Sequence, residues 1–195
     1  MLSHVRRNGE TLMSLRTLLT LAEMHYNLGL ISFHDYEERC CIADWLYDGS
    51  GQHPDPRDAV GEEREDKDEF PLDDGTVTVR QGYPDDPDNP GSLSFLFSGW
   101  IFTKADPDPY PSTPHGHWQN QNKKWPKLDP YNGRVFTEKH NEDKSKRLQK
   151  AQMKILWDDE KFKDFCRGHL IWYMEEYPYH VFRVGRDRLL RFPRW

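Results

Sequence analysis

The stretch Lys127-Leu128-Asp129-Pro130-Tyr131-Asn132-Gly133-Arg134-Val135-Phe136 decides the fold class. Asp-Pro opens a turn, and Asn-Gly supplies the positive φ that a hairpin return needs. Residues 116–128 and 134–138 are therefore expected as two antiparallel strands or extended arms around a tight turn. Upstream, Thr76-Val77-Thr78-Val79 alternates like a strand, and Leu93 to Phe102 reads as one strand, or a pair bulged at Gly99. Adjacency pairs 76–81 with 93–97.

Helix-period patterns flank this region. Leu12, Leu15, Leu19, Ala22 and Tyr26 form one stripe within 11–27, and Leu28-Gly29 stops it. Ser32-Phe33-His34-Asp35 reads as a capping box with Asp in place of Glu, opening a helix from 33 to about 47 that Asp48-Gly49 closes. Two further helices are expected over 143–157 and 158–177, the second ended by Pro178, with a last strand near 179–184. The predicted fold is α+β: helical hairpins at both ends packed on a small antiparallel sheet. The segments are a 1–48 hairpin, a 49–75 acidic linker or mobile loop, and a 76–195 core, together one globular domain.

The 195 residues are enough to bury a core, and aromatics at 13% supply burial that the 35% hydrophobic content does not. Net charge is -6, but residues 53–75 alone carry -7, so the rest is slightly basic. Cys40, Cys41 and Cys166 have neither disulfide framework nor zinc spacing, which fits reduced thiols and a cytoplasmic location. Arg16 and Glu23 interrupt the N-terminal leucine run, which reads as a mature helix rather than a signal, and no apolar stretch approaches a membrane span.

The chemistry-bearing motif is Pro114-His115-Gly116-His117-Trp118. In an extended chain, residues two apart point to the same side, so the two imidazoles can straddle one phosphodiester as general base and general acid. Lys127 and Arg134 are candidates to stabilise charge on phosphorus, with Tyr131 and His140 as auxiliaries. This chemistry needs no metal and no cofactor. A second reading has His115 and His117 ligate a metal, with Asp106, Asp108 or His140 as further ligands and carboxylates behind them. Trp118, Lys123, Lys124 and Trp125 interleave aromatic and basic groups, as unstacked bases and phosphates require, and Arg186, Arg188 and Arg191 extend the basic surface.

The Pro-His-Xaa-His string, followed by lysines and a strand, resembles segments of bacterial toxin ribonuclease domains over residues 110–137. That resemblance implies metal-independent RNA cleavage with His115 and His117 in acid–base roles. The first functional expectation is thus a cytosolic, nucleic-acid-directed enzyme, a toxin or defence effector acting on RNA or another phosphate-bearing ligand. The alternative is a non-catalytic interaction subunit that meets a protein partner through its aromatic surfaces and acidic loop. Neither reading involves a membrane.

Overall fold

The computed structural model describes residues 2–58, 78–81, 93–104, 106–120 and 122–177. It is an α+β protein. Helices α1 (Leu2–Asn27) and α2 (Phe33–Tyr47) come first, then strands β1 (Thr78–Gln81), β2 (Leu93–Phe97), β3 (Trp100–Thr103), β4 (Gly116–Trp118), β5 (Lys127–Leu128), β6 (Val135–Glu138) and β7 (Asn141–Glu142). Helices α3 (Lys150–Asp158) and α4 (Glu160–Glu176) close the described chain.

The helix ends follow local chemistry. Gly29, at φ 69°, turns the chain after α1. The Ser32 hydroxyl accepts the Asp35 N–H at 3.2 Å, and the Asp35 carboxylate accepts the Ser32 N–H at 2.9 Å, a reciprocal capping box. Asp159 caps α4 by accepting the Phe162 N–H at 2.8 Å. Helix α3 starts at Lys150 rather than 143. A short 3-10 turn capped by Asp143 precedes it, and the Leu148 N–H goes to the Gly133 carbonyl (2.9 Å) instead of a helical partner.

The buried face of α1 differs from the expected stripe. Ser14, Thr17, Leu18, Leu21, Ala22 and His25 face inward, while Leu12 and Tyr26 are exposed. Leucines occur around most of this helix, so periodicity alone does not choose a side. Polar residues turn inward because partners wait there: Lys163 donates to Ser14 Oγ (2.9 Å) and Arg167 to Thr17 Oγ1 (2.8 Å).

The seven strands pair in chain order as one antiparallel sheet. Residues 93–102 are not one strand but a β2–β3 hairpin, returning through Ser98 (φ 45°) and Gly99 (φ 80°). Two consecutive positive-φ residues give the turn whose twist matches that of the strands. The expected 76–81 pairing with 93–97 is present, from Thr78 opposite Leu96 to Gln81 opposite Leu93. The single arm expected over 116–128 is two strands, β4 and β5, paired to each other. The return at Asn132-Gly133 lies between β5 and β6, with Gly133 at φ 68°. The expected strand at 179–184 and the arginines 186, 188 and 191 lie outside the described residues.

Register sorts the sheet into two faces. Phe102, Gly116, Leu128 and Val135 are successive cross-strand partners on one face. That face meets the helices: Phe95 and Phe102 pack on Phe162 (ring centroids 5.9 and 5.3 Å), and Phe95 also meets Phe165 at 4.8 Å. Burial of each such ring contributes about 1.5–3 kcal/mol. Ile101, His117, Lys127 and Phe136 form the neighbouring row, on the opposite face.

The acidic segment is anchored at its start. Arg57 is buried and donates to the Asn132 and Leu148 carbonyls, each at 3.0 Å, while also gripping Asp55. The linker expectation therefore does not hold for 55–58, and residues 59–75 lie outside the description. The three cysteines are unpaired. Among the described residues, no helix is long and apolar enough to cross a membrane.

Gly133 is the most constrained point of this frame. A Cβ there would stand 2.6 Å from Met153 Sδ and 2.7 Å from Arg57 Nη1, on a left-handed backbone. Arg57 is held by two carbonyls and cannot retreat. Gly133→Ala is expected to destabilise the protein by about 2 kcal/mol or more in urea unfolding. Gly49→Ala, where a Cβ meets nothing within 4 Å, serves as the control and should change little.

Candidate metal centre under an Asp-Pro strap

Residues 106–111, Asp-Pro-Asp-Pro-Tyr-Pro, cross the sheet face opposite the helices. Each proline removes an N–H and holds its predecessor extended. The next free N–H is taken by an aspartate two residues back: Asp108 N–H to Asp106 Oδ1 and Tyr110 N–H to Asp108 Oδ1, both 3.0 Å. The second oxygen of each carboxylate is left to face the sheet. Asp106 Oδ2 meets His117, Asp108 Oδ2 meets Lys127 Nζ (2.6 Å), and the Tyr110 ring meets Phe136 (centroids 5.6 Å). Since His117, Lys127 and Phe136 are cross-strand neighbours, alternate strap residues step from β4 to β5 to β6.

The first step forms the candidate site. His117 Nε2 lies 2.7 Å and His115 Nε2 3.1 Å from the same Asp106 oxygen. The two rings are 4.7 Å apart between centroids. His115 and His117 are 1% and 5% exposed, so the pair is covered rather than open to solvent. Gly116 between them is dictated by the helix-side face, where a Cβ would come within 3.0 Å of the Phe102 ring.

The other ring nitrogens determine the proton positions. His115 Nδ1 lies 3.1 Å from the Ser112 carbonyl and His117 Nδ1 2.8 Å from the Lys123 carbonyl. A carbonyl only accepts, so each ring carries its hydrogen on Nδ1. Nε2 of each ring faces the Asp106 carboxylate, which also only accepts, so without an ion a proton on Nε2 bridges His117 to Asp106 at 2.7 Å. His115 Nε2 is buried and lies off the line of a hydrogen bond to Asp106. A cation in this place would displace the Nε2 proton and be met by both Nε2 lone pairs and the carboxylate. The three ligand atoms all lie within 4.8 Å of one another. A tetrahedral ion with bonds of about 2.0–2.1 Å needs ligand atoms roughly 3.3 Å apart, so admitting one widens the Asp106–His117 gap of 2.7 Å by about 0.6 Å and the Asp106–His115 gap of 3.1 Å by about 0.2 Å. Burial pushes the Asp106 carboxyl up, and its contacts with His115 and His117 more than reverse this, holding it well below the usual carboxylate range.

Of the metal alternatives named from sequence, Asp106 joins the histidines, whereas Asp108 is engaged by Lys127 and His140 is exposed on the far side of Tyr110. The expected carboxylates behind the histidines are instead main-chain carbonyls, which orient an imidazole equally well. The phosphate-directed residues are not gathered around the pair. Lys127 is buried against Asp108 and the Tyr110 carbonyl, and Arg134 is bound by Glu38 and Glu142. Tyr131 lies in the core, its hydroxyl donating to the Thr113 carbonyl at 3.0 Å. Trp118 packs on Trp100, and Trp125 packs on Tyr110 and under Lys127. Lys123 and Lys124 are exposed.

Sequence reasoning missed how the 112–115 segment is held. His25 of α1 reaches the Thr113 carbonyl at 2.6 Å and the Leu21 carbonyl at 2.5 Å. Burial and the Arg39 guanidinium outweigh those carbonyls and push its pKa down to about 3. A single histidine on an amphipathic helix carries no signal for such a role. The chain matches no family model, no curated protein and no solved structure.

With its pKa pushed down, the folded His25 ring has one N–H to donate to one of its two carbonyls, and it takes up a proton on unfolding below its ordinary value of 6.5. Its contribution to stability is complete above pH 6.5 and is lost as pH falls from there toward 3. Lowering pH from 7 to 5 should cost wild type about 2 kcal/mol more than it costs His25→Gln, compared by urea unfolding. Equal losses in both proteins would show that His25 titrates normally.

Proposed function

We propose that this chain is a metalloprotein whose working centre is one divalent first-row transition ion held by Asp106, His115 and His117. The observation that carries this is the double carbonyl lock on the Nδ1 atoms, which aims both Nε2 atoms and a carboxylate at one point, where an ion would replace the bridging proton. Imidazole and carboxylate together suit zinc, iron(II) or cobalt(II), and orientation by main-chain carbonyls is the usual support for a ligating histidine. Three protein ligands leave a position for water, whose pKa such an ion lowers toward 7. Hydrolysis by metal-bound hydroxide would need its substrate to approach on the side of Asp106, whose side chain is 15% exposed, because both rings are covered.

Metal-independent ribonuclease chemistry has less support, because the cations it requires, Lys127 and Arg134, are engaged by Asp108 and by Glu38 and Glu142. RNA stays among the substrates to test, now as a metal-dependent reaction. The exposed Lys123 and Lys124, on the segment whose carbonyl orients His117, favour anionic esters over neutral ones.

Metal-stripped protein titrated with Zn²⁺ or Co²⁺ should take up one ion per chain. His117→Ala and Asp106→Ala should each weaken binding by about 100-fold or more. Saturating metal at 100 times its dissociation constant should add about 2.7 kcal/mol of stability, removable by chelator. Wild-type protein with no saturable uptake would leave a bare Asp–His ion pair and end the metal reading.

A further inference from the structure

The far end of the strap gathers aromatic rings on the same sheet face. Tyr110 meets Trp125, Phe136 and His140 edge-on, at centroid distances of 6.0, 5.6 and 5.3 Å. His140 is exposed, and the other three rings are each partly exposed. Tyr110, Trp125 and Phe136 lie apart from the hydrophobic core between sheet and helices. Core packing therefore does not explain why aromatic residues collect here.

The cluster has hydrogen-bond donors to spare. Tyr110 Oη accepts the His140 N–H at 2.7 Å, and among the described residues nothing accepts its own hydrogen. The Trp125 indole N–H is likewise open to solvent and unpaired. Positive charge is also in surplus. Lys139 Nζ stands 5.8 Å from the Tyr110 ring centroid, and the exposed Lys123 and Lys124 directly precede Trp125. Among the described residues, none of these ammonium groups has a carboxylate partner. Glu138, next to Lys139, accepts from Asn141 instead, at 3.2 Å. The strap's own carboxylates are engaged, Asp108 by Lys127 and Asp106 by the histidines.

A neutral ligand would leave the ammonium groups unused, and a simple anion would leave the rings unused. A flat base carried on a phosphate backbone uses both. Register places this surface beside the ligand cluster. His117, Lys127 and Phe136 are cross-strand neighbours, so about 10 Å separates the first from the third. Asp106 and Tyr110, at the two ends of one strap, face those two positions. A chain lying along the strap reaches both.

We infer that Tyr110 and Trp125, with Lys124 and Lys139, form the substrate subsite of this centre, and that the substrate is single-stranded nucleic acid. A base stacks on the aromatic cluster, and the phosphates beside it meet the lysines. As an assignment of substrate this rests on the metal reading above, which it deepens by choosing nucleic acid among the anionic esters. The binding itself needs no ion.

The test uses the full chain in chelator and follows the fluorescence anisotropy of labelled hexa-adenylate, an RNA strand. An abasic strand of the same length and charge is the comparison. Wild type should bind hexa-adenylate about tenfold more tightly than the abasic strand. Trp125→Ala should lose about tenfold for hexa-adenylate and nothing for the abasic strand, and Trp125→Phe, which keeps a flat ring, should recover most of that loss. Replacing Lys124 and Lys139 together by Gln should weaken both strands and flatten the plot of log affinity against log salt by about 1.4. Equal affinity of wild type for the two strands would overturn the stacking, and no binding of either at low salt would overturn the nucleic-acid assignment. Should Trp125→Ala not fold, the comparison of the two strands on wild type decides alone. Co²⁺ uptake is measured separately on the same proteins and should be unchanged in Trp125→Ala. Base-dependent binding without Co²⁺ uptake ends the metal reading and leaves a nucleic-acid surface; uptake without such binding keeps the metal and ends this inference.

Discussion

The ion pair between Arg39 of α2 and Asp129 in the β5–β6 turn organises the junction between helices and sheet. The two groups meet at 3.2 Å with side chains 3% and 4% exposed. Burial pushes the Asp129 carboxyl up, opposed by the guanidinium beside it. Such a pair adds little net stability over an apolar replacement, but breaking one side of it costs about 3–5 kcal/mol. Its value is in specifying geometry. Asp129 also accepts the Tyr131 N–H at 2.9 Å, and the guanidinium lies over the Tyr131 ring at 4.2 Å. Tyr131 in turn grips the Thr113 carbonyl, which His25 holds from the other side. One buried pair thereby connects α2, the hairpin return, α1 and the segment that carries both histidines.

The site inherits its shape from that junction and from the sheet. Thr113 is held by core groups, so His115 leaves a rigid stem. His117 follows on β4, and Gly116 lets the strand pass beneath the Phe102 ring. Asp106 then comes from the opposite direction, on a strap whose prolines permit little conformational choice. Three ligands therefore come from two sides of the sheet's end, with two carbonyls setting the ring orientations. Charged groups that the sequence places nearby are consumed in holding this arrangement: Lys127 anchors the strap, and Arg134 and Arg147 share Glu142 beside the second return.

Much of the architecture was readable from residue order. Asn132-Gly133 announced a hairpin because a glycine takes the left-handed position of the return, at φ 68°, without cost, and Ser32 with Asp35 announced a helix start through a bond that needs only local chain. The α1 face was not readable, because Lys163, Arg167 and Thr113, which draw Ser14, Thr17 and His25 inward, lie about 90 to 150 residues away. For the site, the histidine pair and Asp106 could both be named from sequence, and their contact could not. It depends on β4 pairing with β3 and on a strap folding back over that pair. The same holds for the basic residues: Arg134 reads as a phosphate ligand until Glu38, some 96 positions earlier, is seen beside it.

The strap has a parity. Asp106, Asp108 and Tyr110 face the sheet because each is separated from the next by one proline, and the prolines at 107 and 109 are exposed. Lengthening or shortening this stretch by one residue would exchange the two sets, turning pyrrolidine rings toward His117 and Lys127 and carboxylates toward solvent. A change of two would keep the sides and move each anchor one strand along. Length variation among natural versions of this segment should therefore come in even steps, with the lysine on β5 changing in concert.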